Sequence, residues 1–168
     1  MDITINSIIL NGVSNSSQAL AAPTTVDFAR LLGLRFPLAF NTVPADTYSS
    51  ATFVLAKPVI SYLDMTQNPP ALTTMDGTLP ATTYLLTVNF PTRMVVGSNG
   101  LAGLKMEFDI RKSLVVSGGQ ITGAVNPVIY IKATQASDPD AQVTDLTGGL
   151  VSVNAGPHLS CRAPMVIS

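Results

Sequence analysis

Residues 101–133 decide the fold of this chain, with the sequence LAGLKMEFDIRKSLVVSGGQITGAVNPVIYIKA. Apolar and charged side chains alternate through the first part of this stretch. Successive side chains of an extended strand point to opposite faces, so the alternation predicts a strand with one buried and one solvated face. The buried face is predicted to carry the apolar residues Leu104, Met106, Phe108 and Ile110. The solvated face is predicted to carry the charged residues Lys105, Glu107, Asp109 and Arg111.

The second part of the stretch predicts a hairpin followed by an interior strand. Ser117-Gly118-Gly119-Gln120 has the composition of a tight hairpin turn. Pro127 precedes the segment VIYIKA, which is apolar on both faces. A strand of that kind is usually central in its sheet and covered on both sides.

The composition of the 168-residue chain favours β structure throughout. There are 18 Thr and 14 Ser but only one Glu and four Lys, so residues that favour exposed helices are scarce. Twelve Pro and twelve Gly divide the chain into short segments. We predict an all-β fold, an antiparallel β-sandwich of the Ig-like or transthyretin-like kind. One short helix is expected near residues 28–34, where Asp27 can cap the segment FARLLGL.

Further strands are predicted on the N-terminal side of this stretch. Residues 2–10 are expected to form a strand with Ile3, Ile5 and Ile9 on one face. Residues 47–64 are expected to form a long strand, in which Pro58 indicates either an edge position or a break into two strands. The polar, Pro-rich residues 65–80 are predicted to form a loop.

The chain is expected to have one principal domain. Residues 1–135 are predicted to form the sandwich. Residues 136–168 contain a polar loop, one more candidate strand, LTGGLVSVN, and an apolar tail. This second segment is interpreted as the start of a truncated second β module or as an exchanged strand.

The low charge of the chain excludes several classes of partner. The formal net charge is −1 and charged residues make up 11% of the chain, against about 25% in ordinary soluble domains. The basic residues are scattered, so we expect no nucleic-acid partner. No apolar run approaches the ~20 residues of a membrane-spanning helix, and MDITINSIIL lacks the pattern of a signal peptide.

Three long segments carry no charge at all, at residues 3–26, 77–92 and 113–131. Strands normally carry charges that oppose edge-to-edge pairing, so uncharged strands predict edges that are covered within the fold or paired with another chain. The apolar ends of the chain favour pairing with another chain. The predicted assembly residues are Ile3, Ile5, Ile9, Met165, Val166 and Ile167.

The chemistry-bearing residues do not form a constellation that favours catalysis. Glu107 and Asp109 share a predicted solvated face with two cations, which favours salt bridges over a catalytic carboxylate pair. His158 and Cys161 lack the further ligands or the orienting group that zinc or a thiol nucleophile would need. We predict no enzyme activity and no cofactor.

Two other sets of residues are candidates for ligand binding. Loop carboxylates could bind calcium, although they lack the EF-hand pattern and a solvated loop is the favoured interpretation: Asp138, Asp140 and Asp145. The four tyrosines could stack on sugars, although packing in the core or at its rim is favoured: Tyr48, Tyr62, Tyr84 and Tyr130.

Several segments occur in a recognisable order: PADTYSSATFVLAKPVISYLD, LTVNF, GLKMEFDIRKSL and GQITGAVNPVIYIKA. In this order they resemble an uncharacterised bacterial family, domain of unknown function forty-three eighty-two, over residues 1–135. The resemblance implies a β-sandwich module of a secreted or lipid-anchored cell-envelope protein, with an extracellular or cell-surface location. It assigns no catalytic residue. The segment LTGGLVSVNAG resembles the opening strand of a different small β module that is often found downstream.

These patterns lead to two functional hypotheses. The first is a non-enzymatic extracellular structural or adhesive module that self-assembles, as a filament or an oligomer, through edge or terminal strands. Its expected partners are further copies of the chain or other envelope proteins. The alternative is a carbohydrate- or ligand-binding module of a bacterial envelope protein, which would use a sheet face or the loop near residues 64–80.

Overall fold

The computed structural model describes residues 1–31, 38, 41–98 and 102–135. Its sheets are antiparallel and its one described helix has four residues, so the predicted all-β class is confirmed. The sandwich arrangement stays a prediction. The elements are β1 (Asp2–Gly12), β2 (Ser16–Gln18), β3 (Thr24–Asp27), β4 (Asp46–Asp64), β5 (Ala71–Asp76), β6 (Tyr84–Val96), β7 (Ala102–Phe108), α1 (Ile110–Ser113), β8 (Leu114–Ser117), β9 (Gln120–Val125) and β10 (Ile129–Gln135).

β4 is the central strand of a six-stranded sheet. Val59 pairs with Asp2 of β1 and also with Asp76 of β5, so β1 and β5 lie on opposite edges of β4. β6 pairs with the N-terminal part of β4, and β2 and β3 pair with β1. Of the two alternatives predicted for Pro58, the edge position is therefore wrong, and β4 runs as one strand rather than two.

Pro58 lies instead at an interruption within β4. Leu55 pairs with β6 and Val59 with β5, so the pairing partner of β4 changes at Lys57 and Pro58. Lys57 has a φ of 48°, which bends the strand out of the regular ladder at that point. Proline has no N–H to donate to a neighbouring strand. It is tolerated here because the pairing of β4 changes from β6 to β5 at this point.

A bulge in β1 changes which isoleucines face the core. Ile5 pairs with Leu55 and Ser7 with Val54, so Asn6 is an extra residue against β4. The extra residue reverses the inside–outside alternation. Ile3 and Ile5 are fully buried, but Ile9 is only half-buried, so the predicted common face for these three residues is wrong.

The remaining strands form two smaller units. β10 pairs with β7, and β8 pairs with β9. Gly118 and Gly119 both have positive φ, at 57° and 79°, so the predicted hairpin turn is confirmed. From Ile129 to Ala133, β10 buries only one face, because Tyr130 between the buried Ile129 and Ile131 is 45% exposed, so the predicted coverage on both faces is wrong there.

The hydrophobic core joins the sheets. Its buried side chains come from β1, β4 and β6 of the large sheet and from β9 and β10 of the smaller units. The largest of the fully buried apolar side chains are Tyr48, Phe53, Ile3, Ile5, Leu55, Ile60 and Val125. One core therefore spans the described part of the chain from its N-terminal strand to β10.

The helix predicted for residues 28–34 is not formed where the structure describes it. Phe28–Leu31 make turns, and residues 32–34 lie outside the described residues. Asp27 does accept a hydrogen bond from the Ala29 N–H, at 3.0 Å. Phe28 is held by other contacts: its N–H donates to the Met1 carbonyl at 3.0 Å, and its ring stacks on Phe108 at 4.6 Å. These tertiary contacts outweigh a short helical propensity. Residues 136–168 also lie outside the described residues.

Candidate functional site

The charged face predicted for residues 105–111 is only half present. Lys105 and Glu107 lie on β7 and form an ion pair of 2.9 Å along the same strand, rather than between strands. β7 ends at Phe108, so Asp109 and Arg111 do not continue its solvated face. The strand ends here because the Asp109 side chain caps α1, accepting a hydrogen bond from the Lys112 N–H at 3.0 Å.

A buried serine closes the end of this short helix. The Ser113 hydroxyl donates to the Asp109 carbonyl at 2.6 Å and accepts from the Val128 N–H at 2.9 Å. The Asn126 N–H donates to the Ser113 carbonyl, and the Asp109 N–H donates to the Val128 carbonyl. Ser113 is fully buried and its hydrogen bonds are satisfied, which indicates a structural joint between α1 and the start of β10. The sequence signal for this helix is Asp109, a residue type that favours the N-cap position. The alternation of apolar and charged residues predicted a strand there instead.

Lys112 lies next to the Tyr130 hydroxyl on the surface beside this joint. Its Nζ donates to the Tyr130 hydroxyl at 2.8 Å and lies 3.5 Å from an Asp109 carboxylate oxygen. The hydrogen bond and the electrostatic interaction with Tyr130, followed by the nearby Asp109 charge, raise the pKa of Lys112 above its usual value. A lysine with a raised pKa stays protonated at neutral pH, so it is a poor nucleophile or base.

Other carboxylates hold turns. Asp46 accepts from the Thr47 N–H at 2.7 Å and from the Ser14 and Asn15 N–H groups at 3.0 Å, and these bonds lower its pKa. Asp64 accepts from the Thr66 hydroxyl and N–H and from the Gln67 amide, which lowers its pKa. Both acids are therefore kept ionised by local hydrogen bonds that stabilise loops.

Three of the four tyrosines pack in or against the core. Tyr48 is fully buried, and its hydroxyl donates to the Pro44 carbonyl at 2.9 Å. Burial, followed by the Asp46 charge, raises the pKa of the Tyr48 phenol. Tyr62 and Tyr84 are half-buried against the core cluster. Only Tyr130 is exposed, so the favoured packing role is confirmed for the other three.

Several predicted residues do not lie at a described binding site. Within residues 1–31, 38, 41–98 and 102–135, no three His, Cys, Asp or Glu side chains are grouped to hold a metal ion. The calcium candidates and the C-terminal assembly residues lie outside the described residues: Asp138, Asp140, Asp145, Met165, Val166 and Ile167. His158 and Cys161 lie outside them as well. Ile3 and Ile5 are buried in the core of their own chain.

An exposed apolar cluster lies on the hairpin formed by β4 and β5. Leu63 and Leu72 pair directly across the two strands, and they are 56% and 76% exposed. Met65, at the adjoining tip, is 70% exposed. Asp64 orders this tip through its bonds to Thr66 and Gln67. The predicted loop at residues 65–80 therefore contains a strand, and that strand presents apolar side chains to solvent.

The sequence contained a signal for β5 that the loop prediction missed. Two β-branched threonines follow Pro69-Pro70 and precede Asp76-Gly77, which is the turn–strand–turn pattern of a short strand. The six residues Ala71–Asp76 alternate between half-buried and exposed positions in the structure.

Along β5, the backbone N–H and C=O groups of alternate residues point toward β4 and away from it. The Gly77 N–H donates to the Pro58 carbonyl at 2.8 Å, in the same register as the β4–β5 ladder. Bonding to a neighbour alternates along an antiparallel strand. The N–H and C=O groups of Leu72 and Thr74 therefore point away from β4.

The backbone groups of Thr78 also point away from β4. Its N–H donates to the Gly123 carbonyl at 2.8 Å, and its carbonyl accepts from the Val125 N–H at 2.9 Å. The even-numbered backbone groups thus face the outer edge, where β9 satisfies those of Thr78. Among the described strands, none pairs with the outer edge of β5 at Leu72 and Thr74.

β5 differs from most other edges of the described sheets. β6 is also uncharged from Tyr84 to Phe90 and pairs only with β4 among the described strands, but its other side lies beside β10. β7 carries Lys105 and Glu107, which oppose pairing with a foreign strand. β2 has three residues, β3 ends on Asp27, and the β8–β9 ladder contains an irregularity. Ala71–Met75 is uncharged and its ladder with β4 is regular. We define the β5 edge as the outward backbone of Leu72 and Thr74, together with the exposed Leu63.

No helix in the described residues has the length and apolar character needed to cross a membrane. Comparisons of this chain with protein-family models, with curated proteins and with solved structures found no match.

Proposed function

We propose that this chain is a non-enzymatic structural module that assembles with other chains by pairing strands at its edges. The observation that carries the proposal is the β5 edge, which combines uncharged side chains with outward backbone groups that no other described strand pairs with. Such an edge is a template for strand addition unless it is protected. We also propose a cell-surface location, on the basis of the sequence resemblance over residues 1–135.

The absence of enzyme activity is supported by the way the described polar residues are used. Asp46 and Asp64 are committed to turns, and Asp109 caps a helix. Lys112 is held protonated by Tyr130. General acid–base catalysis needs groups whose pKa values lie near the working pH, and the pKa shifts of Asp46, Asp64 and Lys112 move these three groups away from it.

The alternative, a carbohydrate-binding module, would need exposed aromatic rings for stacking. Tyr48 is buried, and Tyr62 and Tyr84 pack against the core. Tyr130 is therefore the one exposed tyrosine ring, and its hydroxyl is already bonded to Lys112. These contacts favour the structural module.

The proposal is tested by sedimentation velocity over a concentration series from micromolar to near-millimolar. We expect association that increases with concentration, and we expect Leu72→Lys to weaken it about tenfold by placing charge on the edge. Leu85→Lys is the matched control, because Leu85 is 63% exposed on β6, away from the β5 edge. Circular dichroism spectra identical to that of the wild type would show that both variants retain the fold.

Two results contradict the proposal. One is a chain that stays monomeric at every concentration and captures no other envelope protein. The other is equal weakening by Leu72→Lys and Leu85→Lys, which would mean that association does not use the β5 edge.

A further inference from the structure

We infer that the partner of the β5 edge is a second copy of this chain, bound antiparallel about a two-fold axis at Thr73. This inference rests on the proposed function and specifies its partner and register. A two-fold interface brings the same surface from both copies together, so the edge must be complementary to itself.

The phase of the backbone decides the register. Only Leu72 and Thr74 direct both backbone groups outward along Ala71–Met75, because the groups of the other three residues bond to β4. Centring the pair on Thr73 places Leu72 of each copy opposite Thr74 of the other. Each of these two pairs exchanges two N–H···O bonds, so every outward backbone group in the segment is satisfied.

The side chains are compatible with the same register. Residues directly opposite one another in an antiparallel pair must share a face, and Leu72 and Thr74 are both on the exposed face. The two copies of Leu72 then lie diagonally across the new pair, within reach of one another, beside the two copies of Leu63. The apolar cluster of each hairpin thus loses exposure to water when the copies join.

Charge and proline set the limits of the paired segment. The nearest charge, Asp76, falls opposite Pro70, so no like charges oppose one another. Pro70 has no N–H and ends the ladder there. Five residues from each copy are paired, which is a small interface, so the dimer is expected to be weak and concentration-dependent. Because both copies use the same edge, this contact closes at two chains and does not by itself build a filament.

A disulfide experiment tests the register. In the background Cys161→Ser, Thr73→Cys places two thiols at a non-hydrogen-bonded pair, whose Cα atoms lie about 4.5 Å apart, within disulfide range. Mild oxidation is expected to give a covalent species of twice the 17.6 kDa chain mass. Ser61→Cys is the matched control, because Ser61 is exposed on β4, one strand in from the edge. It should give at least tenfold less cross-linked dimer.

The outcomes separate this inference from the proposed function. Association that is weakened by Leu72→Lys, without preferential cross-linking of Thr73→Cys, overturns the two-fold register and leaves strand addition intact. Equal cross-linking of Thr73→Cys and Ser61→Cys also overturns the two-fold register, because it would show that the disulfides form by random collision. Binding of a different protein at this edge without self-association overturns the second-copy assignment. A chain that associates with nothing contradicts both.

Discussion

Replacing Ser113 with alanine should destabilise the fold far more than its size suggests. The Ser113 side chain is fully buried, and its hydroxyl bridges the Asp109 carbonyl and the Val128 N–H at 2.6 and 2.9 Å. The Asp109 carbonyl retains a second donor, the Ser113 N–H at 3.0 Å. The Val128 N–H would lose its hydroxyl partner in Ser113→Ala.

The expected cost follows from this unpaired donor. Leaving one buried donor unsatisfied costs about 1–3 kcal/mol in the free energy of unfolding. For a chain of this length, about 2–4 °C of melting temperature is lost per kcal/mol, so Ser113→Ala should melt roughly 2–12 °C lower. Ser117→Ala is the matched control. Ser117 is exposed on β8, and its replacement should change stability by less than ~0.5 kcal/mol.

Urea titration monitored by circular dichroism measures both variants, and amide hydrogen exchange reports on Val128 directly. We expect Val128 to lose protection in Ser113→Ala, because its acceptor is gone. A Ser113→Ala variant as stable as Ser117→Ala, with Val128 still protected, would refute the argument that the hydroxyl holds α1 to the start of β10.

Three further changes test other parts of the structure. Gly119→Ala should cost about 1–2 kcal/mol in the free energy of unfolding, because Gly119 has a φ of 79° although the space around it is open. Gly97 also lies in open space but has no positive φ, so Gly97→Ala should change stability by less than ~0.5 kcal/mol in the same urea titration. The depressed pKa of Asp46, caused first by the Thr47 N–H, contributes stability that is present above about pH 4 and lost as pH falls through the lower folded-state pKa. The stability difference between wild type and Asp46→Asn should therefore shrink on acidification from pH 5 to pH 2, and a constant difference would contradict this role. Tyr48→Phe should cost about 1 kcal/mol, because the ring still fills the core while the hydroxyl bond to a backbone carbonyl is lost; an unchanged urea midpoint would show that this bond contributes nothing.

Local chemistry was sufficient to predict the fold class and one turn. The excess of Thr and Ser over helix formers favoured strands, and the described structure is built from antiparallel strands. Gly118-Gly119 predicted a hairpin because positive φ is a property of glycine itself. Ile3 and Ile5 were correctly placed on one face, since that part of β1 is regular.

The candidate site could not be predicted in the same way. β5 is a strand because the long β4 extends beyond Pro58 and offers it a partner, and polar residues such as Thr73 and Thr74 carry only a faint strand pattern of their own. That its edge is open is a property of sheet topology, which depends on where distant strands lie.

The sequence by itself determined that this chain forms antiparallel strands with few charges, because propensity and charge belong to individual residues. Tertiary structure decided the details that depend on distant partners. The bulge at Asn6 exposes Ile9 in part. Hydrogen bonds to residues 126–128 stabilise the helix Ile110–Ser113 and its cap Asp109, where alternation predicted a strand. Both reflect one physical cause: backbone groups must find hydrogen-bond partners across the fold, and that requirement outweighs local pattern.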